Sequence, residues 1–208
     1  MDHLQQLIQR YPQLKPIGAD IQSAFDRIAE SFNGGGKLLI AGNGGSSADA
    51  EHIVGELMKS FVKQRRLPEK FVSDIEGVDS EIAQYIVPRL QPGLPAISLS
   101  GHASLNTAAI NDIDGNITFA QQVYGYGKEG DVLLGISTSG NSKNILYAAV
   151  TAKARKMKII ALTGGNGGKL KQYADVSIVV PETETYKVQE LHLPVYHCLC
   201  LMLEDRFF

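Results

Sequence analysis

The sequence predicts an α/β protein built on an open, doubly wound parallel sheet with helices on both faces, and two observations carry that prediction. Five short apolar runs recur along the chain: Lys37–Ala41, Leu94–Leu99, Asp131–Ile136, Lys158–Leu162 and Asp175–Val180. They are rich in Val, Ile and Leu and lack period-two alternation, the pattern of strands covered on both faces. Between them lie stretches with helical spacing, near 47–61, 103–112, 117–124, 142–156 and 168–173, and a last one runs to Arg206.

Residues 3–33 precede the first strand and read as helical in two pieces. Pro12 and Pro16 interrupt the first piece, because proline lacks an amide donor and clashes with the preceding turn. In the second, Ile21, Ala24, Phe25, Ile28, Ala29 and Phe32 recur at helical spacing until Asn33-Gly34-Gly35-Gly36 ends it. Val62–Pro92 breaks the strand–helix rhythm as an insertion-like excursion. It holds Lys63-Gln64-Arg65-Arg66, an acidic stretch and three prolines, with a short helix predicted over Ser80–Val87. In the last helix Pro194 is expected either to kink the helix or to mark its true start. The whole of 1–208 reads as one domain without an internal repeat.

Composition narrows the function classes. Lys and Arg number 20 against 22 for Asp and Glu, a formal charge of −2, which argues against a basic nucleic-acid-binding face over the domain. No apolar run approaches the roughly 18 residues that span a bilayer, so no membrane partner is expected. Met1–Arg10 lacks a basic segment followed by an apolar one, so no secretory signal is expected. Cys198 and Cys200 sit two apart in a helix and face different sides, so a disulfide framework is not expected and a reducing cytoplasm is the default.

Two strand-to-helix loops have the residues to hold an anion at a helix N-terminus. Gly42-Asn43-Gly44-Gly45-Ser46-Ser47 follows the first strand. It is not a Walker A motif, because no Gly-Lys-Ser/Thr follows, and it fits a dinucleotide fingerprint only at Gly42 and Gly44. Ser46 with Asp49 also fits a capping box, which explains the serine without a ligand. The loop after the third strand, Ser137-Thr138-Ser139-Gly140-Asn141-Ser142, packs four hydroxyls into six residues. A single N-cap needs one hydroxyl; four around a positive helix end suit a phosphate monoester, bound by neutral donors and the helix dipole.

Two helices carry groups suited to proton or metal chemistry. Glu51, His52 and Glu56 follow the first loop, with His52 and Glu56 one turn apart on one face. Gln189, Glu190, His192 and His197 stand in the otherwise apolar last helix. Spacing alone leaves open whether these are surface and core residues or halves of one site.

The three segments together, Gly42–His52 with Glu56, Ile136–Ser142, and Gln189–His192 with His197, resemble the sugar isomerase (SIS) domain family, and most closely its aldose–ketose isomerases of sedoheptulose 7-phosphate. The resemblance covers nearly the whole chain apart from 62–92. It implies a Rossmann-like sandwich of five parallel strands, a homotetramer, and a site built between subunits. It assigns substrate contacts to Asn43, Gly44, Gly45, Ser46, Asn111, Asp112 and Gln189, and the phosphate to Ser137, Thr138, Ser139 and Ser142. It places the catalytic carboxylate and imidazole on Glu56 and His197, and the ligands of one zinc ion on His52, Glu56, Gln189 and His197. Where relatives commonly carry Asp or Arg shortly before the glutamine, this chain has Tyr186 and Lys187.

The implied reaction converts sedoheptulose 7-phosphate to D-glycero-D-manno-heptose 7-phosphate. It moves one proton between adjacent carbons and another between their oxygens, which a carboxylate and an imidazole facing one enediol can do. Zinc acting as a Lewis acid is the other route. Two non-enzymatic readings fit the same pattern. One is a SIS tetramer that binds the bacterial replication initiator, resembled through Cys198-Leu199-Cys200 and Phe207-Phe208 but lacking a histidine at the position of His197. The other is a sugar-phosphate sensor.

Overall fold

A computed structural model describes residues 2–208. Helix α1 (His3–Arg10) is capped by Asp2, whose carboxylate accepts from the Gln5 amide at 2.9 Å. The two prolines fall in a 3-10 segment, Pro12–Ile17, which leads into α2 (Gly18–Asn33). The chain continues through β1 (Leu38–Ala41), α3 (Gly45–Met58), α4 (Glu69–Val78), α5 (Ser80–Ile86), β2 (Ala96–Ser98), α6 (Ala103–Asp112) and α7 (Thr118–Tyr126). It ends with β3 (Val132–Ser137), α8 (Lys143–Ala154), β4 (Lys158–Gly164), β5 (Val176–Val180) and α9 (Thr185–Phe207).

All five strands are parallel, in the order β2-β1-β3-β4-β5, with Leu39 opposite both Ile97 and Leu133 and Leu162 opposite Ile178. Alternate strand residues point to opposite faces. Leu38, Ile40, Val132, Leu134, Ile160, Leu162 and Ile178 pack under α1, α2, α3 and α9. Leu39, Leu133, Ile159 and Ala161 pack under α7 and α8, against Phe119, Val123, Ile145 and Ala149. This double coverage is why the strands read as unbroken apolar runs. No helix among the described residues is long and apolar enough to cross a membrane.

Several expectations are corrected. The run Leu94–Leu99 pairs only over Ala96–Ser98, since Pro95 has no amide to donate and contributes only its carbonyl, to Leu38 at 2.9 Å. The helix expected near 168–173 is a single 3-10 turn, Leu170–Gln172. The excursion holds two helices rather than one. Asp79 separates them, its carboxylate capping α5 at the Glu81 and Ile82 amides. Pro194 does not begin the last helix; α9 starts at Thr185 and runs through it.

Candidate functional site

Helices α3 and α9 lie side by side and run in the same direction, so successive levels of contact stack along them. At the top, the β1–α3 loop turns on Gly44 (φ +55°), and α3 begins at Gly45. A Cβ on Gly45 would stand 2.5 Å from Gln189 Nε2, so only glycine lets the α9 glutamine lie against the start of α3. Because the cap residue is Gly44, Ser46 falls inside the first turn, buried, and Asp49 faces Tyr196; the capping box is not formed.

At the middle level, His52 Nε2 lies 3.1 Å from Glu56 Oε1, and His52 Nδ1 lies 3.0 Å from the Tyr196 hydroxyl. The Tyr196 hydroxyl donates to Asp49 Oδ1 at 3.3 Å. The His197 ring stands edge-on to His52 (centroids 4.9 Å) and to Tyr196 (5.0 Å), with Phe61 behind it at 5.5 Å. Glu56 also accepts from Lys59 Nζ at 3.4 Å through its other oxygen. Glu56 and His197, predicted from distant stretches, therefore meet within a single chain, through His52.

This surrounding shifts proton affinities. Burial lowers the His197 pKa, the nearby His52 lowers it further, and Glu56 opposes both, so the imidazole is biased toward its neutral form. Burial raises the Asp49 carboxyl, against its hydrogen bond from Tyr196. The Tyr196 hydroxyl is raised by burial and then by Asp49. His197 Nε2 is buried without a hydrogen-bond partner, and its ring borders a cavity of about 420 Å³ between α1 and α9, also lined by His3, Arg10 and Phe61.

The four expected zinc ligands are spread along α3 and α9. Two imidazoles, a carboxylate and an amide oxygen are donors zinc accepts. However, no three His, Cys, Asp or Glu side chains among the described residues gather as a metal site. His52 Nε2 is engaged by Glu56, and Gln189 lies two turns from His197, about 12 Å along the helix axis.

The second pole lies at the carboxyl edge of the sheet. Ser137 Oγ and Ser142 Oγ are 3.1 Å apart, and Ser139 Oγ accepts from the Asn141 amide at 3.2 Å. Gly140 (φ +64°) lies so close to Gly167 that a Cβ would meet its carbonyl oxygen at 2.0 Å, which fixes the loop against the turn after β4. Thr138 and Ser139 line a depression of about 460 Å³ with Gly164, Gly165, Asn166 and Thr183. The two loops are tied by a reciprocal amide pair, Asn43 and Asn144, at 2.9 and 2.8 Å. Between them and α6 lies a cleft of about 240 Å³ lined by Asn43, Gly44, Ser47, Ser100 and Asn106.

Asn111 and Asp112 are exposed on the last turn of α6 and bond to each other at 2.8 Å, with no contact to the groups around His52. Tyr186 is exposed and Lys187 pairs with Glu184. The sequence reading missed Asp49, Phe61, Asn144 and Tyr196. Asp49, Asn144 and Tyr196 each sit within three residues of a predicted site residue, whereas Phe61 does not.

Three comparisons bear on this arrangement. The sequence pattern of the SIS domain matches residues 4–86 and 81–164. A phosphoheptose isomerase of Thermodesulfovibrio yellowstonii is 39% identical over 188 residues, 90% of this chain and 81% of that protein. A phosphoheptose isomerase of Leptospira biflexa is 36% identical over 207 residues, 100% of this chain and 92% of its own length. Among solved structures, the phosphoheptose isomerase of Neisseria gonorrhoeae superposes with a TM-score of 0.76 at 31% identity, covering 98% of this chain and 95% of that one.

Proposed function

Since the chain belongs to the SIS domain family, we propose that it works as the family's phosphoheptose isomerases do, converting sedoheptulose 7-phosphate to D-glycero-D-manno-heptose 7-phosphate. It is an aldose–ketose isomerase of heptose biosynthesis, in keeping with relatives of that name that span most of its length. The observation that carries the catalytic assignment is the packing of the His197 ring 4.9 Å from His52, whose Nε2 holds the Glu56 carboxylate at 3.1 Å.

On this reading Glu56 takes a proton from C1 of the ketose and returns it to C2, through an enediol. His197, biased to the neutral imidazole, passes a proton between the two oxygens. Ser137, Thr138, Ser139 and Ser142, with the N-terminus of α8, hold the phosphate; Asn43, Gly44, Gly45, Ser46, Gln189, Asn111 and Asp112 complete the sugar contacts.

The distance between the two poles supports a site shared between copies in a homotetramer. The Asn43–Asn144 pair holds the start of α3 beside the hydroxyl loop, and Glu56 lies eleven positions beyond Gly45, about 16 Å along the helix axis. An extended heptulose phosphate measures only about 10 Å from C1 to phosphorus, given bonds near 1.5 Å. A substrate gripped by the hydroxyl loop of one chain is therefore better placed for the Glu56 of a second. The same sharing would allow Gln189 to join His52, Glu56 and His197 around one zinc ion, which their donor types suit. Bound there, zinc would polarise the sugar carbonyl. A sugar-phosphate substrate and free buried cysteines fit a cytoplasmic protein.

NMR of sedoheptulose 7-phosphate with the protein, alongside metal analysis of the same sample, tests the function. Resonances of the aldose 7-phosphate are expected; tight ligand binding with no new sugar would favour a sensor, and neither would favour the partner-binding reading.

A further inference from the structure

We infer that the buried ion pair of Arg65 with Glu204 is a positioning device that fixes the Glu56 carboxylate and the His197 ring relative to each other on either side of His52. The inference rests on the catalytic roles proposed for those two groups. Both side chains of the pair are fully buried, although the run Lys63–Arg66 has the composition of a solvated face.

All three guanidinium nitrogens are engaged, through four hydrogen bonds and a second ion-pair contact. Nε and Nη2 reach Glu204 Oε1 at 3.0 and 2.9 Å. Nη1 donates to the carbonyls of Leu57 at 2.7 Å and Pro92 at 3.4 Å, and Nη2 donates to the carbonyl of Glu56 at 3.1 Å. The last four carbonyls of a helix have no partner within it, and α3 ends at Met58. Arg65 thus caps the very turn that carries Glu56, with its charge at the negative end of the helix dipole.

Glu204 completes the link from the other side. Its oxygens accept the amides of Phe61, Val62 and Lys63 at 2.8, 2.9 and 3.0 Å, which seats Phe61 behind the His197 ring. Burial alone would raise the Glu204 pKa; those amides and Arg65 outweigh it and hold the carboxyl below its ordinary value. Glu204 lies seven residues beyond His197, two turns along the same face of α9. One ion pair therefore joins the end of α3, the wall behind His197 and the helix that carries His197. It also clamps both ends of the 62–92 excursion. A buried pair adds little net stability over apolar residues of like volume, so its use here is to fix geometry.

Arg65→Lys keeps the charge but has one nitrogen where four acceptors surround a fork. A misplacement of about 1 Å costs on the order of 100-fold in turnover, so kcat is expected to fall about 30- to 100-fold. KM for sedoheptulose 7-phosphate should stay within about twofold, because the hydroxyl loop is untouched. If Arg65→Lys does not fold, Arg65→Met with Glu204→Met, which leaves no unpaired buried charge, carries the same measurement. A kcat within about twofold of wild type in either folded variant, with Glu56→Gln inactive, overturns the positioning role alone. Turnover that survives in Glu56→Gln overturns both this inference and the catalytic assignment beneath it.

Discussion

Replacing Ser142 by alanine separates phosphate binding from folding. Ser142 precedes α8 at the cap position, where a serine normally bonds a helix amide and its loss costs about 1 kcal/mol. Here the hydroxyl makes no such bond and faces Ser137 Oγ at 3.1 Å. Stability should therefore change by less than about 0.5 kcal/mol, the range of a substitution that breaks no special feature. A hydrogen bond to a charged group contributes about 1.5–3 kcal/mol. The loss of one phosphate contact should raise KM for sedoheptulose 7-phosphate by about 13- to 160-fold, from RT near 0.59 kcal/mol. The phosphate is remote from the reacting carbons, so kcat should hold. Steady-state kinetics by NMR, a thermal melt and competition by inorganic phosphate read out the three quantities. An unchanged KM, or a melt lowered as if a cap had been lost, would refute the reasoning.

Two further outcomes follow from the geometry. Gly45→Ala places a methyl 2.5 Å from Gln189 Nε2, and the flexible amide must swing aside. Helix propensity offsets any strain by up to about 1 kcal/mol, so the melt should not fall; KM should rise, and an unaltered KM would remove Gln189 from the site. His192 is fully buried, and burial lowers its pKa from 6.5 to about 4. The unfolded chain binds that proton first as acid is added. Stability should be full above pH 6.5 and fall by about 3 kcal/mol as pH drops toward 4, at 1.36 kcal/mol per pH unit. Urea titrations across that range should show the slope in wild type and a flatter one in His192→Gln; equal slopes would contradict it.

The sheet was legible in the sequence because each strand is covered on both faces, so Lys37–Ala41 and its counterparts needed no tertiary knowledge to stand out. Helix boundaries were less so. The capping-box pattern at Ser46 and Asp49 is real, but the positive φ of Gly44 lets α3 start at Gly45 and places the serine inside the first turn. The site was only half legible. His52 and Glu56 announce their contact by spacing, whereas the Tyr196 hydroxyl reaches His52 across 144 residues. Arg65 and Glu204, one in a charge run and the other near the end of an apolar helix, lose their solvent only when the excursion folds back over α3 and α9. Local pattern cannot report that burial, since it is created by closure of the chain.

The central claim, that Glu56 moves the carbon-bound proton, is tested most directly by proton NMR of sedoheptulose 7-phosphate in deuterated water with wild type, Glu56→Gln and His197→Ala. Wild type should form the aldose with deuterium carried from solvent onto C2. Both variants should be folded and lose that incorporation by about 100-fold or more. Deuterium entering at the wild-type rate in Glu56→Gln would contradict the account.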